Sequence, residues 1–175
     1  MSRFEHVRHR PPVLLEQSRE LLVACAAMNS YVNISHIVRT AGCFGISRVV
    51  ACGTARLEER IARDGADSVI LEVRRSLPPV LDRFKAQGYE LVGLEQTTCS
   101  ESLFTFSFVP RTVLVIGNER HGLTPEELSR LDRVAEIPMN GLPHSLNAAT
   151  AAAVAMYQYA QQFRVGFATG TEQAT

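Results

Sequence analysis

TVLVIGNERHGLTPEELSRLDRVAEIP, residues 112–138, contains the unit that decides the fold. Residues 112–117 carry no charge and end on Gly117, and so read as a short strand buried on both faces. The next stretch, NERHGL, is polar and contains a glycine, the mark of a loop. Residues 124–131 open with a helix-start signature: Thr124 as N-cap, Pro125 in the first turn and Glu127 at the capping-box position. Residues 133–138, RVAEIP, read as a strand again. Strand, helix and strand in succession build a parallel sheet, because parallel neighbours need a crossover and a helix supplies it.

The same alternation extends upstream. Apolar runs at 20–28, 48–53, 68–73 and 89–95 read as further buried strands. Between them, residues 33–44 place Ile34, Ile37, Val38 and Ala41 on one helical face with Gly45 to close the C-terminus, and residues 77–88 read as another helix. The pattern predicts an α/β domain, a mostly parallel sheet with helices on both faces. At 175 residues, with no repeat, low-complexity segment or linker, a single domain is expected. A short basic tail over about 1–15, with Arg3, Arg8 and Arg10 beside His6 and His9, precedes it, and a frayed end over about 166–175 follows.

Eighteen basic and eighteen acidic residues cancel, so overall charge does not announce a nucleic-acid binder. The cations are nevertheless arginines with the exception of Lys85, and arginine is the better fork for phosphate. The tail and the Arg74–Arg75 pair read equally well as solvated charge or as phosphate contacts. Cys25, Cys43, Cys52 and Cys99 form no C-x-x-C pair and sit among apolar residues, which suits buried thiols in a reducing compartment better than a metal site or disulfides. No run is long and apolar enough to span a membrane and the N-terminus is charged, so a cytoplasmic protein without metal or membrane attachment is expected.

Ligands of parallel α/β sheets sit beyond the carboxyl ends of the strands, which directs attention to three loops. These are NSYVN after the first strand, NERHGL after 112–117, and MNGLPHSLN after 133–138. None has the Gly-x-Gly-x-x-Gly or Walker pattern of a phosphate cradle. Ser35, Arg39 and Gly42 share a helix face away from the apolar stripe, where Arg39 reads as exposed. Asn33 and Ser145 suit helix N-caps, Glu119 suits a solvated turn, and Asn147 is a poor helix former with less reason to be where it is. From Ala148 to Tyr157 only Thr150 is polar, so that helix needs cover on every side. One sheet covers one face, and a second copy of the chain is the simplest cover for the other, which predicts a homodimer.

Taken together, NISHIVRTAGCFGI (33–46), VIGNERHGL (115–123) and IPMNGLPHSLNAATA (137–151) resemble, in order and spacing, the three motifs of the SpoU/TrmH family of SPOUT RNA ribose 2′-O-methyltransferases. The resemblance spans most of the chain. It implies a SPOUT-type sheet whose C-terminal segment is threaded as a trefoil knot, an exception to unknotted topology. It implies S-adenosylmethionine as cofactor, RNA as partner, and catalytic roles for Asn33, Arg39, Glu119, Ser145 and Asn147. Gly117, Ile137 and Leu146 match positions that hold the cofactor, with Leu94, Ile116 and Met139 lining the same pocket.

Methylating a ribose hydroxyl requires in-line placement of the oxygen and an exit for its proton. On this resemblance Arg39 anchors the phosphate beside the target ribose and polarises the hydroxyl, while Ser145 and Asn147 orient it. A stronger version has Arg39 take the proton, although guanidinium normally stays charged far above neutral pH. Ala148 and Ala149 depart from the branched and hydroxyl residues of many relatives, which bears on substrate fit. With the first strand near residue 20, no separate N-terminal RNA-binding domain is expected, and tRNA is favoured over rRNA. Two alternatives remain: a non-catalytic RNA-binding module on the same fold, and a nucleotide-dependent oxidoreductase or transferase on an open sheet, against which the missing glycine pattern argues.

Overall fold

The structure, a computed structural model, describes residue 11 and residues 19–164. The basic cluster from Arg3 to Arg10 and the end beyond 164 lie outside the described residues. The chain runs β1 (Glu20–Cys25), α1 (Tyr31–Cys43), β2 (Arg48–Cys52), α2 (Glu59–Ala62), α3 (Gly65–Ser68), β3 (Ile70–Arg74), α4 (Pro78–Ala86), β4 (Glu90–Leu94), β5 (Glu101–Ser102), β6 (Arg111–Ile116), α5 (Pro125–Leu128), β7 (Arg133–Glu136) and α6 (Ala148–Gln162). The strands form one seven-stranded sheet in the order β3-β2-β1-β6-β4-β7-β5, with every pair parallel. The α/β expectation therefore holds.

Alternation along the central strands sorts the core into two layers. Leu21, Val23 and Cys25 of β1 point with Val49 and Ala51 toward α1 and α6, while Leu22 and Ala24 point with Val50 toward α4. On the first face Ile34, Ile37, Val38 and Ala41 of α1 are buried, as their spacing requires. On the second, Val80, Leu81 and Phe84 of α4 cover the sheet beside Leu123. Each such side chain stabilises the fold by roughly 1.5–3 kcal/mol relative to exposure. α1 ends as its sequence suggests: Gly45 adopts φ +65°, and the N–H groups of Gly45 and Ile46 donate to the carbonyls of Gly42 and Ala41, a Schellman closure.

Several expectations need correction. Two short helices, α2 and α3, occupy the β2–β3 connection, so β3 starts at Ile70 and not at residue 68. Gly65 is buried against α1 so closely that a Cβ there would meet the Arg39 Cα at 2.8 Å. This packing covers the expected polar face of α1, and Ser35 is fully buried, accepting from the Glu58 backbone N–H (2.8 Å) and donating to the Tyr31 carbonyl (2.7 Å). Arg39 is exposed. Cys25 and Cys52 are buried, whereas Cys43 and Cys99 are exposed. β5 was not anticipated, α5 stops at Leu128, and α6 runs on to Gln162.

α6 packs Ala149, Ala152, Ala155, Met156 and Tyr159 inward, against α1 and the sheet. Its opposite side leaves Val154 and Tyr157 exposed, at 40% and 58% of their surface. The helix is thus covered on two sides within the chain, not on all. Among the described residues no helix is long and apolar enough to cross a membrane, and no cluster of His, Cys, Asp or Glu could hold a metal ion.

At the opposite edge Glu72 of β3 receives Arg48, Arg74 and Arg83. Hydrogen bonds from Arg83 foremost, then Arg74 and Arg48, outweigh burial and hold its carboxyl down at about 2. A carboxyl lowered by folding contributes stability above its ordinary pKa, and loses it as pH falls through the folded value. Glu72→Gln should therefore cost about 2 kcal/mol in urea denaturation at pH 7, a difference that shrinks below about pH 4.5 and closes near 2. A constant difference from pH 7 to 3 would contradict this account of the edge.

Candidate active site

The strand order reverses between β1 and β6. The chain leaves β1 toward β2 on one side and leaves β6 toward β7 on the other, which opens a crevice at their carboxyl ends. Three segments enter it: residues 26–33 after β1, residues 117–123 after β6, and residues 137–147 after β7.

The second segment is a tight turn pinned at both ends. Asn118 and Gly122 exchange backbone hydrogen bonds of 3.0 and 2.9 Å, and the Asn118 carboxamide oxygen accepts from the N–H groups of Arg120 and His121. Its amide nitrogen donates to the Ala27 carbonyl (2.6 Å), tying the turn to the end of β1. Gly117 has no room for a side chain, since a Cβ would come within 2.6 Å of the Gly122 carbonyl carbon. Gly122 has φ +64° with Glu95 packed over it, and the Glu95 carboxylate accepts from the Leu123 N–H (3.0 Å). Asn118 and Glu95 were not anticipated. An Asn directly after a strand-ending glycine is a turn signal that could have drawn attention to Asn118, whereas nothing local distinguished Glu95.

Glu119, projecting from this turn, meets the start of α1. Its carboxylate accepts from the backbone N–H groups of Asn29 (3.2 Å) and Ser30 (3.0 Å) and from the Asn33 side-chain amide (3.1 Å). Burial would raise its pKa, but these bonds and one from its own backbone N–H hold it below the ordinary carboxylate range. The Asn33 carboxamide oxygen in turn accepts from the Asn147 amide (3.0 Å), and the Asn147 oxygen accepts from the N–H groups of Ala149 (2.9 Å) and Thr150 (3.3 Å). An acceptor-only carboxylate at one end and donor-only backbone groups at the other fix both amide orientations along the relay.

These bonds revise the helix caps. Ser30 caps α1, with its hydroxyl accepting from the Asn33 N–H, so Asn33 is freed for the relay. Asn147, not Ser145, caps α6. Asn33, Glu119 and Asn147 thus come together, whereas Ser145 stands apart from the relay on the wall of an adjoining cleft.

That cleft, of about 380 Å³, lies beyond β6, β4 and β7. All six positions expected to hold a cofactor line it: Leu94, Ile116, Gly117, Ile137, Met139 and Leu146. Glu119 and Ser145 lie on its wall, with Glu95, Gln96 and Arg120 among the polar residues around them. Arg39 does not line it. The Arg39 guanidinium is exposed and has no hydrogen bond or ion pair among the described residues.

A parallel sheet, a cleft beyond the carboxyl ends of β4, β6 and β7 and a glycine-tight turn after β6 define a class that comparison with known proteins identifies. The SpoU rRNA Methylase family profile matches residues 20–157, and the chain belongs to that family. It is 29% identical over 154 residues to the tRNA (guanosine(18)-2'-O)-methyltransferase of Aquifex aeolicus, covering 86% of this chain and 73% of that protein. A protein of the same name from Mus musculus is 30% identical over 85% of this chain, which spans only 10% of its length. Among solved structures, the A. aeolicus TrmH/SpoU tRNA modifying enzyme superposes with a TM-score of 0.77 at 28% identity, over 82% of this chain and 75% of that one. The SpoU methyltransferase AviRb of Streptomyces viridochromogenes, in complex with the cofactor AdoMet, gives 0.71 at 27% identity, over 86% and 62%.

Proposed function

We propose that this chain is an S-adenosylmethionine-dependent RNA ribose 2′-O-methyltransferase, a cytoplasmic homodimer acting on tRNA in preference to rRNA. The observation that carries the reading is the convergence of Asn33, Glu119 and Asn147 at the edge of a cleft lined by the expected cofactor positions. Its volume of about 380 Å³ suits a small-molecule site, typically about 300–1,000 Å³. Ile116, Ile137, Met139 and Leu146 offer an apolar slot for an adenine, and the loop backbones offer donors and acceptors beside it. The reading includes the knotted C-terminal segment that the family resemblance implies.

When bound, S-adenosylmethionine supplies an electrophilic methyl on a cationic sulfur that leaves neutral, so the transfer calls for no metal. The chain's task is then placement. Ser145 offers a hydroxyl that has no partner among the described residues, and it orients the ribose 2′-oxygen. Asn33, Glu119 and Asn147 act as positioning residues, locking the loops that follow β1 and β6 to the start of α6. Arg39 holds the neighbouring phosphate and stabilises the negative charge that builds on the 2′-oxygen as its proton passes to solvent water. Since Arg39 stands outside its own chain's cleft, the reading assigns this contact to the assembled dimer, and the exposed Val154 and Tyr157 of α6 supply apolar surface for it.

Calorimetric titration with S-adenosylmethionine tests the cofactor assignment: one site per chain is expected, lost in Leu146→Asp, whose partly exposed position tolerates the change. No binding by the unmodified chain would overturn it. Sedimentation at low micromolar concentration tests the dimer, which a monomer would refute.

A further inference from the structure

The surface cations fall into two groups. One group meets acids: Glu72 takes Arg48, Arg74 and Arg83, Arg130 meets Asp82 and Glu126, and Arg133 meets Glu101. The other group, which includes Arg39, Arg60, Arg63 and Arg75, has no ion pair among the described residues, and two of its members adjoin the polar relay. Arg56, after β2, and Arg120, after β6, are exposed, and neither guanidinium has an acidic partner or hydrogen bond among the described residues. Glu58 and Glu59 are near Arg56 in sequence, yet neither forms an ion pair with it.

Arg56 is nevertheless held in place. Its guanidinium carbon lies 4.3 Å from the centroid of the Tyr31 ring. Tyr31 is the first residue of α1, directly after Ser30, whose N–H donates to Glu119. Arg120 directly follows Glu119 on the cleft wall. Both arginines therefore adjoin the polar relay, one through α1 and one through the turn after β6. A guanidinium stacked on an aromatic ring keeps its N–H edge free and loses less freedom when it binds a planar or tetrahedral anion.

We propose that Arg56, carried on Tyr31, and Arg120 form a clamp for the phosphodiester backbone of the RNA beside the reacting ribose. This assignment rests on the RNA methyltransferase reading above. Phosphate is favoured over a base because Arg56 already occupies one face of the Tyr31 ring, where a base would stack, and because both guanidinium edges open to solvent. In a chain of zero net charge the electrostatic grip on RNA has to be local, and unpaired arginines supply it without raising the overall charge.

The test is filter binding of bulk tRNA to the full chain over about 50–300 mM salt. The R56A/R120A variant should bind about tenfold more weakly, with a slope of log K against log salt shallower by about 1.5–2, one contact's worth per arginine. R56K/R120K should keep that slope and most of the affinity. R111A/R130A removes the same charge from arginines already paired elsewhere and should leave the slope unchanged, with cooperative melting above the assay temperature showing that all variants fold. An unaltered constant and slope in R56A/R120A would overturn the clamp alone. So would an equal loss in R56K/R120K at unchanged slope, which would indicate a base contact. No salt-dependent binding by the unmodified chain would overturn the clamp and the RNA reading together.

Discussion

Glu119→Ala should lower the unfolding free energy by about 2–4 kcal/mol and slow methyl transfer about 100-fold or more, the largest combined effect expected from one substitution here. The carboxylate accepts from Asn29, Ser30 and Asn33, so its removal leaves the Ser30 N–H and the buried Asn33 amide without their acceptor. It also unlinks the turn after β6 from α1, and through Asn33 it loosens Asn147 at the start of α6. Glu119→Gln should fall between, since one amide oxygen still accepts while its NH₂ faces other donors. The two variants separate by pH. Folding lowers the Glu119 pKa, so its contribution is complete above the ordinary carboxylate range and declines as pH falls through the folded value. Urea denaturation should show the gap between wild type and Glu119→Gln narrowing in acid; a gap independent of pH would mean that the carboxylate is not the keystone of the relay.

Arg39→Ala should behave in the opposite manner. The side chain is exposed and has no partner among the described residues, so stability should change by less than about 0.5 kcal/mol, while transfer falls about 100-fold or more. Calorimetry should find S-adenosylmethionine affinity intact, because Arg39 is not in the cleft lining. The dimer reading adds a sharper expectation. Mixing inactive Arg39→Ala and Ser145→Ala chains after subunit exchange should restore about a quarter of wild-type activity, since half the dimers are mixed and each has one site with both residues intact. No recovery after demonstrated exchange would place both residues in one chain's site and remove the shared-site account.

The elements legible in the sequence were those long enough to show a period or a bounded apolar run, six of the strands and α1, α4 and α6, together with the short α5, which its Thr124–Glu127 capping box disclosed. α2, α3 and β5 span four, four and two residues, too few for any period to develop. The cap of α1 was misjudged because Ser30 and Asn33 are both good N-cap residues, and the choice depends on where Tyr31 and Val32 pack. The relay itself was beyond local reading. Asn33 meets Glu119 from 86 positions away and Asn147 from 114, a meeting created by β6 pairing beside β1. The motifs made those residues candidates; only the strand order showed that Glu119 and Asn33 spend their hydrogen bonds on each other, and that Arg39 stands clear of the cleft.

The central claim is transfer to a ribose hydroxyl, and it is tested most directly by incubating the chain with isotopically methyl-labelled S-adenosylmethionine and bulk tRNA and rRNA, followed by nucleoside mass spectrometry. The account predicts label on 2′-O-methylnucleosides from the tRNA fraction, absent with Glu119→Ala and Arg39→Ala. Label on a base, or none on either RNA despite S-adenosylmethionine binding, would contradict it.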